Sequence, residues 1–365
     1  MNLRPASPGS PRRAQRSFTL VELLVAAAIT VLLAGLMLAA VSTLLRQWNL
    51  TAGRLAGAVQ ARLALDQLAQ DLEGALFRAD GNVWLAATVL PDTGRSGRWQ
   101  AAAVAAQGKP GNSHPRTLAL AAPSLTDARG GVAGVWLRFF TTKPDTNASV
   151  ADLSAPVAVA YQLIRQNVTS SAASEQRYLL FRAEVRRTRT TGGAPGTFEA
   201  GYHLDPAASP ATPYQTPSAT AGDPGNLLRP PLGAALADNV IDFNVRLYVR
   251  ERGVLRLIFP ARAAAAGAGP PGGALTAALP PADETEHLAR SGTPAPDDYY
   301  RHAFPEVAEV LLRVLTDEGA RAIAAYEAGR LAPPAGVAPG DYWWTLAEAN
   351  SEVFTRTIII RARPF

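Results

Sequence analysis

One stretch constrains this chain more than any other. From Phe18 to Leu45 it is almost wholly apolar, and Glu22 is its only charged residue. A helix that crosses a bilayer needs about 20 apolar residues in succession, and the run from Leu23 supplies them. Arg4, Arg12, Arg13 and Arg16 precede it with no acid among residues 1–17, and Arg46 follows it. Such an excess of arginine places the N-terminus in the cytoplasm and the bulk of the chain across the membrane. Any single-pass anchor fits this description, but Glu22 does not belong in one. A carboxylate at hydrocarbon depth is costly and normally has a partner. A cut between Ser17 and Phe18 would create an α-amine one helical turn from Glu22, able to pair with that carboxylate or with one on a neighbouring subunit.

The residues Ser17-Phe18-Thr19-Leu20-Val21-Glu22-Leu23-Leu24-Val25, read with the basic leader before them, closely resemble the class III signal of type IV prepilins and pseudopilins. That signal has a small residue before the cut, then Phe, then Glu at the fifth mature position, then an apolar helix. The resemblance implies cleavage by prepilin peptidase after Ser17, N-methylation of Phe18, and use of Glu22 in docking subunits within the membrane. The family usually has Gly where this chain has Ser17. The resemblance further implies a bacterial inner-membrane protein with a periplasmic C-terminal domain, assembled into a periplasmic pseudopilus. Its partners would be other major and minor pseudopilins, an inner-membrane assembly platform and membrane lipid. Two other readings of the same residues stay open. A secretory signal peptide has an apolar core of about 7–15 residues, shorter than this run, although Ala40-Val41-Ser42 resembles a signal-peptidase site. A plain uncleaved anchor leaves Glu22 unexplained.

Past Arg46 the apolar residues thin out. Leu50, Leu55, Val59, Leu63, Leu68, Leu72 and Leu76 recur at spacings of four or five, with Arg54, Arg62, Asp66, Asp71 and Glu73 on the other side. This reads as an amphipathic helix laying one stripe on a core. No proline interrupts residues 18–79, so one helix of roughly 60 residues and about 90 Å is expected. Gly53, Gly57 and Gly74 are places where it could bend. The expected division is a leader over 1–17, a transmembrane helix over 18–45, an amphipathic helix over 46–79 and a β-rich domain over 80–365.

In that domain Thr117–Ala121, Val135–Thr141, Val307–Leu315 and Val353–Arg361 read as strands. Residues 157–163 and 178–185 read as an antiparallel pair. Asn239–Arg250 alternates most cleanly, with Ile241, Phe243, Val245, Leu247 and Val249 against Asp242, Asn244, Arg246 and Arg250. One buried and one wet face is the expectation for such a strand. Glu318–Ala328 reads as a short helix. Residues 188–233 and 263–283, rich in Gly, Pro, Ala, Ser or Thr, read as insertions. The fold class is therefore α+β: a long helix, half in the membrane, packed on an antiparallel sheet in the manner of pilins. Leu236-Ala237-Asp238-Asn239-Val240-Ile241-Asp242-Phe243, Phe304-Pro305-Glu306-Val307-Ala308-Glu309-Val310 and a last strand ending at Arg361 resemble the J-type minor pseudopilins of type II secretion, and also the W-type minor pilins. Length, loops and Ala-Arg-Pro usage are similar to pseudopilin-like proteins of Verrucomicrobia gene cassettes.

Composition adds exclusions. The formal charge of +5 comes from arginines scattered singly, without a basic run or a binding motif, so no nucleic-acid partner is expected. With no cysteine, neither disulfides nor thiolate metal sites hold the fold. His114, His203, His287 and His302 have no metal-ligand spacing and read as isolated surface residues. No nucleophile elbow, phosphate loop or zinc motif is present, and no enzyme or cofactor is expected. Asp297-Asp298 is a weak candidate for calcium. Trp343-Trp344 and Tyr299-Tyr300 read as core before recognition aromatics. The rival class is a membrane-anchored periplasmic enzyme or binding protein; within the assembly class, a minor pilin of a type IV pilus is the alternative.

Overall fold

The computed structural model describes residues 19–79, 81–89, 108–120, 122–142, 156–167, 176–185, 230, 232–251, 253–260, 285–290 and 302–364. Residues 53–365 form one compact unit and residues 1–52 another. The chain begins with α1 (Leu20–Glu73), followed by β1 (Leu76–Phe77), β2 (Leu85–Val89), β3 (Leu118–Ala119), β4 (Arg129–Gly130) and β5 (Val135–Thr142). Next come β6 (Pro156–Asn167), β7 (Gln176–Val185), β8 (Ala235–Asp238), β9 (Val240–Glu251), β10 (Val254–Phe259) and β11 (Glu286–Ala289). The last elements are β12 (Val307–Leu315), α2 (Asp317–Glu327), α3 (Pro339–Ala349), β13 (Ser351–Ile359) and β14 (Arg363–Pro364). The architecture is α+β, as the sequence leads one to expect. One antiparallel sheet has the order β11-β2-β5-β6-β7-β8 and a second has the order β10-β9-β12-β13. The expected pair over 157–185 is the β6–β7 hairpin, and Val307–Leu315 is a strand over that whole range.

The helix departs from expectation in two ways. It ends at Glu73 rather than near residue 79. A Cβ at Gly74 would lie 2.8 Å from Thr141 Oγ1, and Thr142 N donates to the Gly74 carbonyl over 3.0 Å. The backbone therefore passes too close to β5 for any residue larger than glycine, and the chain leaves the helix there. The second departure is the stripe. At 3.6 residues per turn, the five-residue step from Leu63 to Leu68 swings it by about 140° around the axis. Leu55, Val59 and Leu63 are exposed, while Ala61, Ala64, Leu65, Leu68, Ala69 and Leu72 make the buried face. Asp71, expected on the wet side, is 4 % exposed. Its carboxylate is gripped by Arg182 of β7 at 2.6 and 3.0 Å and accepts from the Tyr161 hydroxyl of β6 at 2.5 Å. Burial and then the Asp71 charge push the Tyr161 hydroxyl well above its usual range. This ion pair fixes the C-terminal half of α1 to the six-stranded sheet.

Strand β9 corrects the expectation of a wet face. Asp242 and Asn244 are fully buried and Arg246 nearly so, because residues 108–120 and 122–134 fold across the polar side of the strand. Gly130 N donates to Asp242 Oδ1 over 3.1 Å. Lys109 Nζ donates to the carbonyls of Gly131, Val132 and Ile241 at 3.2, 2.8 and 2.6 Å, and Arg246 donates to the Ala122 carbonyl. Burial holds the Lys109 ammonium down at about 8 and raises the Asp242 carboxyl. The apolar side, with Phe243, Val245 and Leu247, joins the core shared by α1 and both sheets.

Helix α2 is capped by Thr316, whose hydroxyl accepts from Gly319 N over 3.1 Å, with Asp317 and Glu318 in the favourable first turn. Helix α3 was not expected. Its start at Pro339 suits a helix, since proline fits the first helical position. Trp343 and Trp344 are fully buried, as expected of core residues. Trp343 Nε1 donates to Glu327 and Trp344 Nε1 to Thr117, each over 2.9 Å. Glu327 also accepts from Arg165 and Tyr178 on the β6–β7 hairpin, so each polar group the helix pair buries there is matched.

Candidate functional site

The site the sequence points to is the start of α1. Thr19 is the residue just before the helix, and its carbonyl accepts the first helical bond, from Leu23 N over 3.2 Å. Glu22 sits in the first turn, three residues on. Its Oε2 accepts from Thr19 N and from Thr19 Oγ1, both at 3.0 Å, while Glu22 N donates back to Thr19 Oγ1 over 3.3 Å. This reciprocal arrangement is a capping box. The pattern Thr-x-x-Glu was visible in the sequence but was not used there: Thr19 is the residue the sequence reading missed. The box explains how the chain tolerates the carboxylate, since Glu22 satisfies the orphan Thr19 amide at the positive end of the helix. Only Oε2 is used; among the described residues Oε1 accepts no hydrogen bond. Ser17 and Phe18, the expected cleavage and methylation positions, lie outside the described residues, as do Asp297-Asp298 and Tyr299-Tyr300.

Beyond the cap, Leu20–Leu45 is long and apolar enough to cross a membrane, and none of it is buried within the chain. Leu20, Leu24, Val31, Met37 and Leu38 are each more than half exposed. The hydroxyls in this stretch are satisfied locally: Thr30 donates to the Ala26 carbonyl at 2.8 Å, and Ser42 and Thr43 to that of Ala39 at 2.8 and 2.9 Å. Nothing but the Glu22 carboxylate offers this segment a strong polar contact to a neighbour. Separately, Leu55, Val59 and Leu63 form an apolar ridge, 65, 48 and 60 % exposed.

The other candidates separate from this region. His114 is half-buried beside Asp341 at 3.4 Å. His287 is not a surface residue: it is 2 % exposed on β11, and since a carbonyl only accepts, its Nε2 donates to Ala303 O over 2.9 Å. Burial, with His302 nearby, lowers it to about 4. His302 Nδ1 meets the Leu288 carbonyl at 3.0 Å. Among the described residues no group of three or more His, Asp or Glu side chains is placed to hold a metal ion.

Comparison with known proteins bears on the same end of the chain. The family model described as the prokaryotic N-terminal methylation motif matches residues 12–38, which include Ser17, Phe18, Thr19 and Glu22. No curated protein and no solved structure matches the chain. The motif and the apolar helix together support a subunit of the pilin or pseudopilin type.

Proposed function

We propose that the chain is a non-enzymatic minor pseudopilin of a type II secretion-like assembly, cleaved by prepilin peptidase between Ser17 and Phe18 and methylated on Phe18. The observation that carries this reading is the pairing of an unpartnered lipid-depth helix with one acidic group at its start. Capping occupies Glu22 Oε2 and leaves Oε1 for a second donor. The amine released at Phe18, its own or a neighbour's, is the donor that the cut supplies, and a charge-assisted hydrogen bond in a dry environment is strong enough to set register between packed helices. The exposed ridge of Leu55, Val59 and Leu63 offers neighbours a further apolar surface, as expected where exposed apolar patches mark association. Two sheets on one helix make a bulky subunit, which suits a place near the filament tip better than a repeating position. The segments that carry the J-type resemblance are residues 236–243, which cross from β8 into β9, and residues 304–310, which enter β12 beside it.

The test is substitution of Glu22 in cells that carry the partner pseudopilins. Glu22→Ala and Glu22→Gln should both be inserted and cleaved normally. Recovery of the chain in the assembled fraction should fall about tenfold or more, the scale set by loss of one charged hydrogen bond. Assembly at the unsubstituted level with both variants would overturn the proposal.

A further inference from the structure

The β6–β7 hairpin carries one five-residue pattern twice. Tyr161-Gln162-Leu163-Ile164-Arg165 in β6 and Tyr178-Leu179-Leu180-Phe181-Arg182 in β7 both read Tyr-x-Leu-x-Arg. The Tyr, Leu and Arg of each pattern share one face, since side chains alternate along a strand. The register sets Tyr161 opposite Arg182, Leu163 opposite Leu180 and Arg165 opposite Tyr178. A local two-fold axis through the leucine pair exchanges the two patterns. Each end of this face grips one carboxylate between the hydroxyl of one strand and the guanidinium of the other. At one end Asp71 of α1 accepts from Tyr161 at 2.5 Å and from Arg182 at 2.6 and 3.0 Å. At the other end Glu327 of α2 accepts from Arg165 at 3.1 and 2.5 Å and from the Tyr178 hydroxyl. Both charge pairs are nearly buried. Burial, followed by the facing carboxylate, raises both hydroxyls above their usual range. Leu163 and Leu180, between the two sites, are buried.

We propose that this hairpin is a pair of equivalent carboxylate receptors, one for α1 and one for α2, and that filling either site favours filling the other. Neither strand makes a site alone, so both sites require the same β6–β7 register. A carboxylate bound at one end ties a hydroxyl of one strand to a guanidinium of the other, and so holds the register that the far end needs. An empty site has the opposite effect. It leaves a buried guanidinium short of its main acceptor and a buried hydroxyl without one, a costly state that the two strands relieve by moving apart. Coupling between sites is reciprocal and usually amounts to about 5- to 150-fold in affinity. The occupants decide what is coupled. Asp71 seats α1, whereas Glu327 also accepts from Trp343 Nε1 of α3 over 2.9 Å, so its site seats the α2–α3 pair. A shift of α1 is thereby felt at α2 and α3. The inference uses residues 71–343 alone and needs no part of the reading of the N-terminus.

The test uses the full chain in detergent and reads amide hydrogen exchange. Asp71→Ala keeps the Cβ, so sodium formate supplies the missing carboxylate and formamide is its uncharged match. The substitution should speed exchange at the amides of Ala328, just past α2, and Tyr342 in α3 by about fivefold or more. Formate should restore their protection and formamide should not. In the other direction, Glu327→Ala should speed exchange at the Thr142 amide, which donates to the Gly74 carbonyl just past α1. Acetate should restore it and acetamide should not. The Glu306 amide, bonded to Tyr248 in the four-stranded sheet, is the reference and should change by less than about twofold, since a local opening leaves other units closed. Tyr161→Phe removes one hydroxyl and keeps the ion pair; it serves if Asp71→Ala does not fold, with a smaller change at the same two amides. Acceleration confined to the substituted end would overturn the proposal, as would equal acceleration at Glu306. So would rescue by formamide as good as by formate, or no rescue by either.

Discussion

The two halves of α1 belong to one uninterrupted helix and have opposite fates. Between Leu20 and Leu45 no side chain is buried in the chain. Between Ala61 and Leu72 a full face is, with Ala61, Leu68 and Leu72 at 2 % exposure or less. Helix propensity does not separate them, because both halves are uninterrupted helix. What differs is composition, one charged residue over Leu20–Leu45 against six over residues 46–73, and with it the neighbour. The second half has two sheets to cover it and an ion pair, Asp71 with Arg182, to hold it. The first half has no cover within the chain, and one carboxylate at its start. An apolar helix is a demand for cover, and the fold meets that demand for half of this one.

The largest effect should come from breaking the lock that distinguishes the second half. Among the described residues Asp71→Ala leaves Arg182 with Glu184 alone and strips the Tyr161 hydroxyl of its acceptor; loss of one partner of a buried pair costs about 3–4 kcal/mol. Thermal unfolding of the full chain in detergent should show it, and a change below about 1 kcal/mol would mean that the ion pair does not anchor the helix. Next comes a matched pair of truncations. Leu72→Ala should cost about 3 kcal/mol through the cavity it leaves, whereas Leu55→Ala should stay within about 0.5 kcal/mol on folding yet reduce assembly. Equal unfolding costs would erase the distinction between the faces.

A smaller effect is pH dependence at the edge of the six-stranded sheet. His287 titrates near 4 when folded, against about 6.5 when unfolded. Below 6.5 the unfolded chain takes up a proton that the folded one refuses. The stability this group permits is therefore full above pH 6.5 and falls as pH drops toward 4, by on the order of 3 kcal/mol across the window. His287→Gln, which keeps a donor for the Ala303 carbonyl, should flatten that part of the profile. An unchanged slope would show that other groups set it.

How much of this was legible beforehand depended on whether a signal was local. The membrane segment, Glu22, and strands such as Val307–Leu315 rest on composition and alternation within one stretch of chain. The rotation of the α1 stripe was equally local, since the five-residue step from Leu63 to Leu68 is printed in the sequence, as is the Thr19–Glu22 box. The burial of Asp242, Asn244 and His287 was not, because it depends on segments distant in sequence folding over them. Alternation tells which residues share a face, not whether a second layer covers the polar one.

The most direct test of the central claim is the N-terminus of the mature protein isolated from membranes, read by intact mass and by the mass of its first peptide. The account predicts a chain that starts at Phe18 and carries one added methyl. A start near Thr43, or an intact Met1, would leave Glu22 without the amine proposed for it and would contradict the account.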